Sequence, residues 1–167
     1  MSDPFTIQSH KGPYSVNFLK DPFENIADHI SSNCHFLIDQ KVAKIYEKQL
    51  APVFQSKAPL LIEATEPNKS LDKFPTYVED LVNQGIRRDH QLVAIGGGII
   101  QDITCFLSAT LLRGIDWIFY PTTLLAQSDS CIGSKSSINS GAAKNILGTF
   151  TPPKTIFVSS AVLQTLD

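Results

Sequence analysis

No apolar run in this sequence approaches the roughly 18 residues of a membrane span, which excludes a helical transmembrane segment. The stretch Met1 to Gly12 lacks the basic start and apolar core of a secretory signal. Cysteine is scarce. Cys34, Cys105 and Cys131 are odd in number and far apart, so they read as reduced, partly buried thiols of a cytoplasmic protein and not as a disulfide framework or zinc site. Neither sign of charge dominates, with 14 basic against 16 acidic residues, and no basic patch argues for nucleic acid. His10, His29, His35 and His90 are scattered, and no pair has the helical spacing of metal ligands. No repeat, low-complexity tract or linker interrupts the chain.

What is present is an alternation of strand-like and helix-like segments. The 167 residues suffice for one domain burying roughly 70% of the surface of its unfolded chain. Thr6 to Ser9 and Tyr14 to Leu19 read as short strands around a turn. Phe23 to Ile30 reads as a helix, with Asp21 as cap and Pro22 at its first position. A strand over Phe36 to Asp39 leads into a helix over Lys41 to Leu50, and Pro59 to Glu63 is the next strand. Ser70 is placed to cap a helix through Leu71, Phe74, Val78, Leu81 and Val82 that stops at Gly85. Strands at Gln91 to Ile95 and Asp116 to Tyr120 flank a helix over Gly98 to Leu112. A last strand, Thr155 to Ser159, is followed by a turn at Ala161 to Leu166. This order predicts an α/β, Rossmann-like fold: an open, mainly parallel sheet with helices on both faces.

Ligands in such folds sit beyond the carboxyl ends of strands. Asp39, the run Gly96, Gly97, Gly98, and Thr122-Thr123 all fall there. Three glycines can make a tight turn, or they can bring free helix-start amides onto a pyrophosphate. Asp102 reads either as a first-turn acid or as a contact for a sugar hydroxyl. Asp39 reads equally as a helix cap or as an acceptor for ribose hydroxyls. Glu66 and Lys69 alone are an i,i+3 pair of small value. Asp129, Lys135 and Lys144 are the only charges between Trp117 and Pro153, in company that does not solvate them, so they either pair with each other or meet a charged ligand.

Read whole, LVAIGGGIIQD at Leu92 to Asp102, Arg113-Gly114, PTTLLAQSDSCIGSKSSIN at Pro121 to Asn139, and Lys144-Asn145 resemble the 3-dehydroquinate synthase family of sugar-phosphate cyclases. Upstream, FLIDQKVAKIY at Phe36 to Tyr46 and Glu66-x-x-Lys69-Ser70-Leu71 are similar to that family's first nucleotide-contacting segments. The resemblance implies that residues 1–167 are an amino-terminal, NAD-binding α/β domain, and that a helical second half holding a divalent metal, zinc or cobalt, through a Glu and two His lies outside this chain. It implies nucleotide contacts from Asp39, Lys41, Glu66, Lys69, Gly96, Gly97, Gly98, Asp102, Thr122, Thr123 and Leu125. It gives Asp129, Lys135 and Lys144 to both cofactor and substrate, and adds Asn145 and Arg113 to the catalytic set, Arg113 reaching substrate phosphate across a dimer contact. The implied reaction is oxidation, phosphate elimination, reduction and aldol closure of a heptulosonate 7-phosphate in the pathway to aromatic amino acids, by a cytoplasmic homodimer. The isolated chain would then be inactive.

Departures from the pattern are local. Gln101 and Ser137 stand where the family has glycine, Ser134 replaces another, and Ser140-Gly141-Ala142-Ala143 replaces a His-Pro-x-Gly segment. They leave open a paralogous cyclase acting on another heptulose phosphate. A metal-dependent polyol dehydrogenase shares the triple glycine and Asp102, and a non-enzymatic nucleotide-binding module is the remaining alternative.

Overall fold

The computed structural model describes residues 4–31, 33–56 and 58–165. Strands β1 (Phe5–Ser9) and β2 (Gly12–Phe18) form a hairpin at one edge. Then come β3 (Cys34–Asp39), α1 (Gln40–Ile45), α2 (Glu47–Ser56), β4 (Leu60–Ile62) and α3 (Phe74–Asn83). The second half holds β5 (Gln91–Gly96), α4 (Gly98–Thr110), β6 (Asp116–Pro121), the short β7 (Ile138–Ser140) and β8 (Ala143–Leu147), and β9 (Thr155–Val158). Seven strands make one sheet in the order β1-β2-β9-β6-β5-β3-β4, and β1 alone runs antiparallel to its neighbour.

Strand residues alternate between two cores. Leu37, Leu92, Ala94, Trp117 and Phe119 pack under α3 and α4, with Phe74, Leu81, Ile100 and Ile103. Phe36, Ile38, Val93, Ile95, Ile118 and Tyr120 pack under α1 and α2, with Val42, Leu50 and Val53. A strand apolar on both faces needs a helical layer on each, which is why these segments read as unbroken hydrophobic runs. The helices after β3 and β5 therefore lie on opposite sides of the sheet. The crevice of a doubly wound fold opens between two such neighbouring strands.

Three expected elements differ. No α-helix forms over 23–30: Phe23 takes a left-handed backbone with φ 62, and only Ile26–His29 winds, as a 3-10 turn. Glu24, not Asp21, serves the local amides, its carboxylate accepting from the N–H groups of Lys20 and Asp21. The Phe23 ring meanwhile packs edge-on against Tyr46. The helix expected to stop at Leu50 continues as α2 through Pro52 to Ser56. Complete burial of Leu50 and Val53 offsets an interior proline that costs about 3 kcal/mol. Ser70 stands at the N-cap of a 3-10 turn, Leu71–Lys73, that precedes α3, but its side chain makes no capping bond, and Pro75 lies in the first turn of α3. Gly85, at φ 74, ends the helix as expected. The turn after β9 is a 3-10 helix, Ser160–Thr165, and Leu166 lies outside the described residues.

Candidate functional site

Gly96 ends β5, Gly97 precedes α4, and Gly98 is its first residue. No side chain caps this helix start, so its first-turn amides and the positive end of its dipole face the crevice. The three glycines answer to different neighbours. A Cβ on Gly96 would collide with the Ile100 side chain and lie 3.3 Å from Asp39 Cβ. On Gly97 it would lie 2.7 Å from Thr123 Cγ2. On Gly98 it would meet nothing within 4 Å, so only there does the missing side chain leave room for something that is not this protein.

On one side of the glycines lies a pocket of about 160 Å³ lined by Asp39, Lys41, Val42, Tyr46, Thr122, Thr123 and Thr165. Asp39 Oδ1 accepts the Lys41 N–H at 2.8 Å, so the cap geometry is realised, and Oδ2 has no hydrogen bond among the described residues. The Thr122 N–H closes onto Gly96 O at 2.9 Å. The Thr123 hydroxyl accepts the Ala126 N–H at 3.3 Å.

On the other side is a hollow of about 400 Å³ whose lining includes Glu66, Lys69, Gly98, Asp102, Leu125, Lys135 and Ser137. Lys69 is 5% exposed and lies between two carboxylates, 2.9 Å from Asp102 and 3.5 Å from Glu66. A buried ammonium needs such partners. Asp102 is largely occupied by protein: Oδ1 accepts the Ser137 N–H at 3.0 Å, and Oδ2 accepts both the Ser137 hydroxyl and Lys69. The Glu66 carboxylate accepts from Asn139 Nδ2 at 3.0 Å. That bond, with Lys69 and Lys144 nearby, holds the Glu66 carboxyl below the ordinary glutamate range. A further opening of about 540 Å³ includes Glu66, Ser70, Asn139 and Lys144 in its walls.

Of the residues singled out from sequence, the structure gathers Asp39, Lys41, Glu66, Lys69, Gly96 to Gly98, Asp102, Thr122, Thr123, Leu125, Lys135 and Lys144 along one rim. Asp129 sits on a π-helical turn, Ala126–Ser130, a conformation frequent at functional sites. Asp129, Lys135 and Lys144 are exposed, and no ion pair joins them among the described residues, so mutual pairing is not the arrangement adopted. Asn145 has φ 53 and donates its N–H to Asn139 Oδ1 at 2.8 Å. Arg113 is not brought to the rim. It follows the far end of α4, about 20 Å from Gly98 at 1.5 Å per residue. Leu112, Arg113 and Gly114 all have positive φ there.

Three residues matter more than their sequence setting suggested. Gln101 exchanges two 2.7 Å hydrogen bonds with Ser130, fixing the π-helical turn to α4. Ser137 wraps Asp102, and Asn139 bridges Glu66 to Asn145. Gln101 and Ser137 were visible as departures from glycine, but only the folded chain shows what they bind. Burial pushes the Cys131 thiol up to about 11 and raises Cys105, so neither is a nucleophile near neutral pH.

The family description "3-dehydroquinate synthase N-terminal" matches residues 59–167. The chain belongs to the 3-dehydroquinate synthase family. It is 36% identical over 174 residues to a 3-dehydroquinate synthase of Thermoanaerobacter sp. (strain X514), covering 99% of this chain and 49% of that protein. A 3-dehydroquinate synthase of Alkaliphilus oremlandii (strain OhILAs) is 40% identical over 144 residues, covering 84% of this chain and 40% of that protein. The chain thus spans about half the length of these curated relatives. Among solved structures, 2-epi-5-epi-valiolone synthase of Streptomyces hygroscopicus subsp. jinggangensis 5008, with NAD+ and Zn2+ bound, has a TM-score of 0.81 at 28% identity, covering 92% of this chain and 45% of that one. A 2-deoxy-scyllo-inosose synthase complexed with carbaglucose-6-phosphate, NAD+ and Co2+ shares the fold, with a TM-score of 0.84 at 24% identity over 98% of this chain and 47% of that one. The sugar-phosphate cyclase fold is therefore the fold of this family member, and no helix among its described residues is long and apolar enough to cross a membrane.

Proposed function

We propose that this chain is the NAD-binding half of a 3-dehydroquinate synthase-like cyclase acting on a phosphorylated sugar acid. One observation carries the reading: α4 begins uncapped at the crevice, with open space at Gly98 where a side chain would stand. Pyrophosphate would lie on the amides of Gly97 and Gly98. Adenosine ribose would meet Asp39 and Lys41 beside Thr122 and Thr123 in the smaller pocket. The nicotinamide end would extend toward Glu66, Lys69, Asp102 and Leu125. When bound, NAD would supply reversible hydride removal from a secondary alcohol of the substrate.

The chain's own residues would orient and neutralise. Lys135 and Lys144 present ammonium groups at the rim of the two larger hollows, suited to carboxylate or phosphate through charge-assisted hydrogen bonds. Asp129 and Asn145 would hold substrate hydroxyls. The family resemblance would place the ligands of a zinc or cobalt ion in residues outside this chain; among the described residues no three His, Cys, Asp or Glu side chains converge. Arg113, at the opposite end of α4, would serve a neighbouring copy in a homodimer. The isolated chain would bind nucleotide without turnover.

A paralogous cyclase using another heptulose phosphate is the second reading. The hydroxyl of Ser137 on Asp102, where the family pattern has glycine, favours it by changing the substrate-side hollow. The full protein, incubated with NAD, a divalent metal and heptulosonate 7-phosphate, is expected to release phosphate with no net NADH. Stoichiometric NADH would instead identify a polyol dehydrogenase. Calorimetry with Gly98→Ala is expected to weaken NAD by at least about tenfold, the equivalent of ~1.4 kcal/mol. A folded Gly98→Ala protein with parental affinity would reject the placement.

A further inference from the structure

Residues 134–151 form an irregular two-stranded ribbon laid against the body. Ser136 N–H donates to Thr149 O at 2.9 Å and Thr151 N–H to Ser134 O at 2.7 Å, and β7 pairs with β8 beyond them. Gly148 is obligatory at the crossing, because a Cβ there would strike the Ser136 carbonyl oxygen. The ribbon carries Lys135, Lys144 and Asn145, and β8 is exposed along most of its length. Its hold on the body is therefore concentrated in β7 and the segment before it.

At its base, Thr151 O accepts from Trp117 Nε1 at 3.0 Å and from Cys105 Sγ at 3.4 Å, and Asn139 forms a backbone bridge with Ser70. Toward its tip, two side chains make the polar part of the hold. Asn139 is 7% exposed and uses both ends of its amide: Nδ2 donates to Glu66 Oε2, and Oδ1 accepts the N–H of Asn145. No other uncharged side chain of that length offers a donor and an acceptor in one plane except by the same amide group. The left-handed backbone of Asn145 is what turns its N–H inward to be caught. Ser137 grips Asp102 with its N–H and its hydroxyl, and the same hydroxyl lies 3.4 Å from Lys69 Nζ. A continuous chain of bonds thus runs Asn145, Asn139, Glu66, Lys69, Asp102, Ser137.

We propose that Asn139 and Ser137 are positioning residues that suspend this ribbon, and with it Lys135, Lys144 and Asn145, from the carboxylates of Glu66 and Asp102. The claim rests on the cyclase reading only for what the ribbon presents its cations to. The mechanical part stands on the hydrogen bonds alone. Neither residue lies in the seven-stranded sheet or in either core, although Ile138 between them is buried in one, so loss of a single tether is expected to leave the sheet and both cores in place.

The test uses the full protein and two readouts. In Asn139→Ala, hydrogen exchange of the Asn145 amide and of β8 is expected to rise about three- to tenfold, the range one hydrogen bond commands, with β3, β5 and β6 unchanged. In the Glu66→Gln, Asn139→Asp double variant the donor and acceptor are reversed, and Asn145 protection is expected to return. For the phosphorylated substrate, kcat/KM of Asn139→Ala is expected to fall with KM rising more than kcat falls. Unchanged Asn145 protection overturns the tether, and a loosened ribbon with full kcat/KM overturns the positioning role. If Asn139→Ala does not fold, Ser137→Ala is read the same way at the amides of 134–137. A parent protein that releases no phosphate defeats the functional reading, while the exchange measurement still decides the tether.

Discussion

Lys144 offers an ammonium to open solvent, not to a buried partner. It makes the smallest of several contributions that hold the Glu66 carboxyl low, behind the Asn139 hydrogen bond and Lys69. An exposed charge of this kind contributes little to folding. Lys144→Met, which keeps the stem and removes the charge, is therefore expected to leave the melting temperature in place. In the full protein kcat/KM should fall by at least about tenfold, equivalent to ~1.4 kcal/mol of lost transition-state stabilisation. A drop in stability with activity per folded molecule retained would make Lys144 a structural residue. His29 behaves in the opposite way. It packs on Tyr120 and Phe157, and its Nε2 is buried with no hydrogen-bond partner among the described residues, so desolvation lowers its pKa against a weaker opposing pull from Asp28. A lowered histidine pKa means that the unfolded chain binds the proton more readily. The stability is complete above the ordinary histidine value of 6.5 and is lost as pH falls from there through the folded value. His29→Phe, which keeps an aromatic ring against Tyr120 and Phe157, is expected to shrink the difference in urea midpoint between about pH 7.5 and about pH 5.5. An unchanged difference would assign that pH dependence elsewhere.

At the scale of elements, β3, β5 and β6 were legible because burial on both faces removes every polar residue from their centres. The glycine run and the polar rim residues were legible because chemistry concentrates at strand ends, where apolar packing no longer dictates residue type. Three elements were not legible. The helix expected to end at Leu50 runs on as α2 through Pro52, because Leu50 and Val53 are fully buried in the core. Asp21-Pro22 reads as a helix start, yet Phe23 adopts a left-handed turn and its ring packs near Tyr46 and Tyr120. The ribbon of β7 and β8 is built from small polar residues with no period of two, and its register comes from side-chain amides and hydroxyls. In the site, Asp102 could be read as a ligand contact, but its bonds to Lys69 and Ser137 are set by residues far apart in sequence.

For the whole molecule, the sheet is a shared wall between two cores, with β4 at one edge and the β1–β2 hairpin at the other. The rim residues hang from this wall, so their spacing depends on its register. Two-sided burial also governs how the chain tolerates change over generations. In a sheet with one wet face, polar substitutions are harmless at every second position. Here Phe36, Leu37 and Ile38, or Leu92 through Ile95, admit no such alternation, because each residue belongs to one core or the other. A saturation scan of the full protein read by abundance should show unbroken bands of intolerance along β3, β5 and β6. Along β2, where Tyr14 and Val16 are buried and their neighbours are not, it should show a comb. A comb along β5 would mean that one helical layer is not required. The central strands are consequently the slowest part of this chain to drift, and the rim and ribbon, held by a few replaceable bonds, are where a descendant could acquire a different substrate.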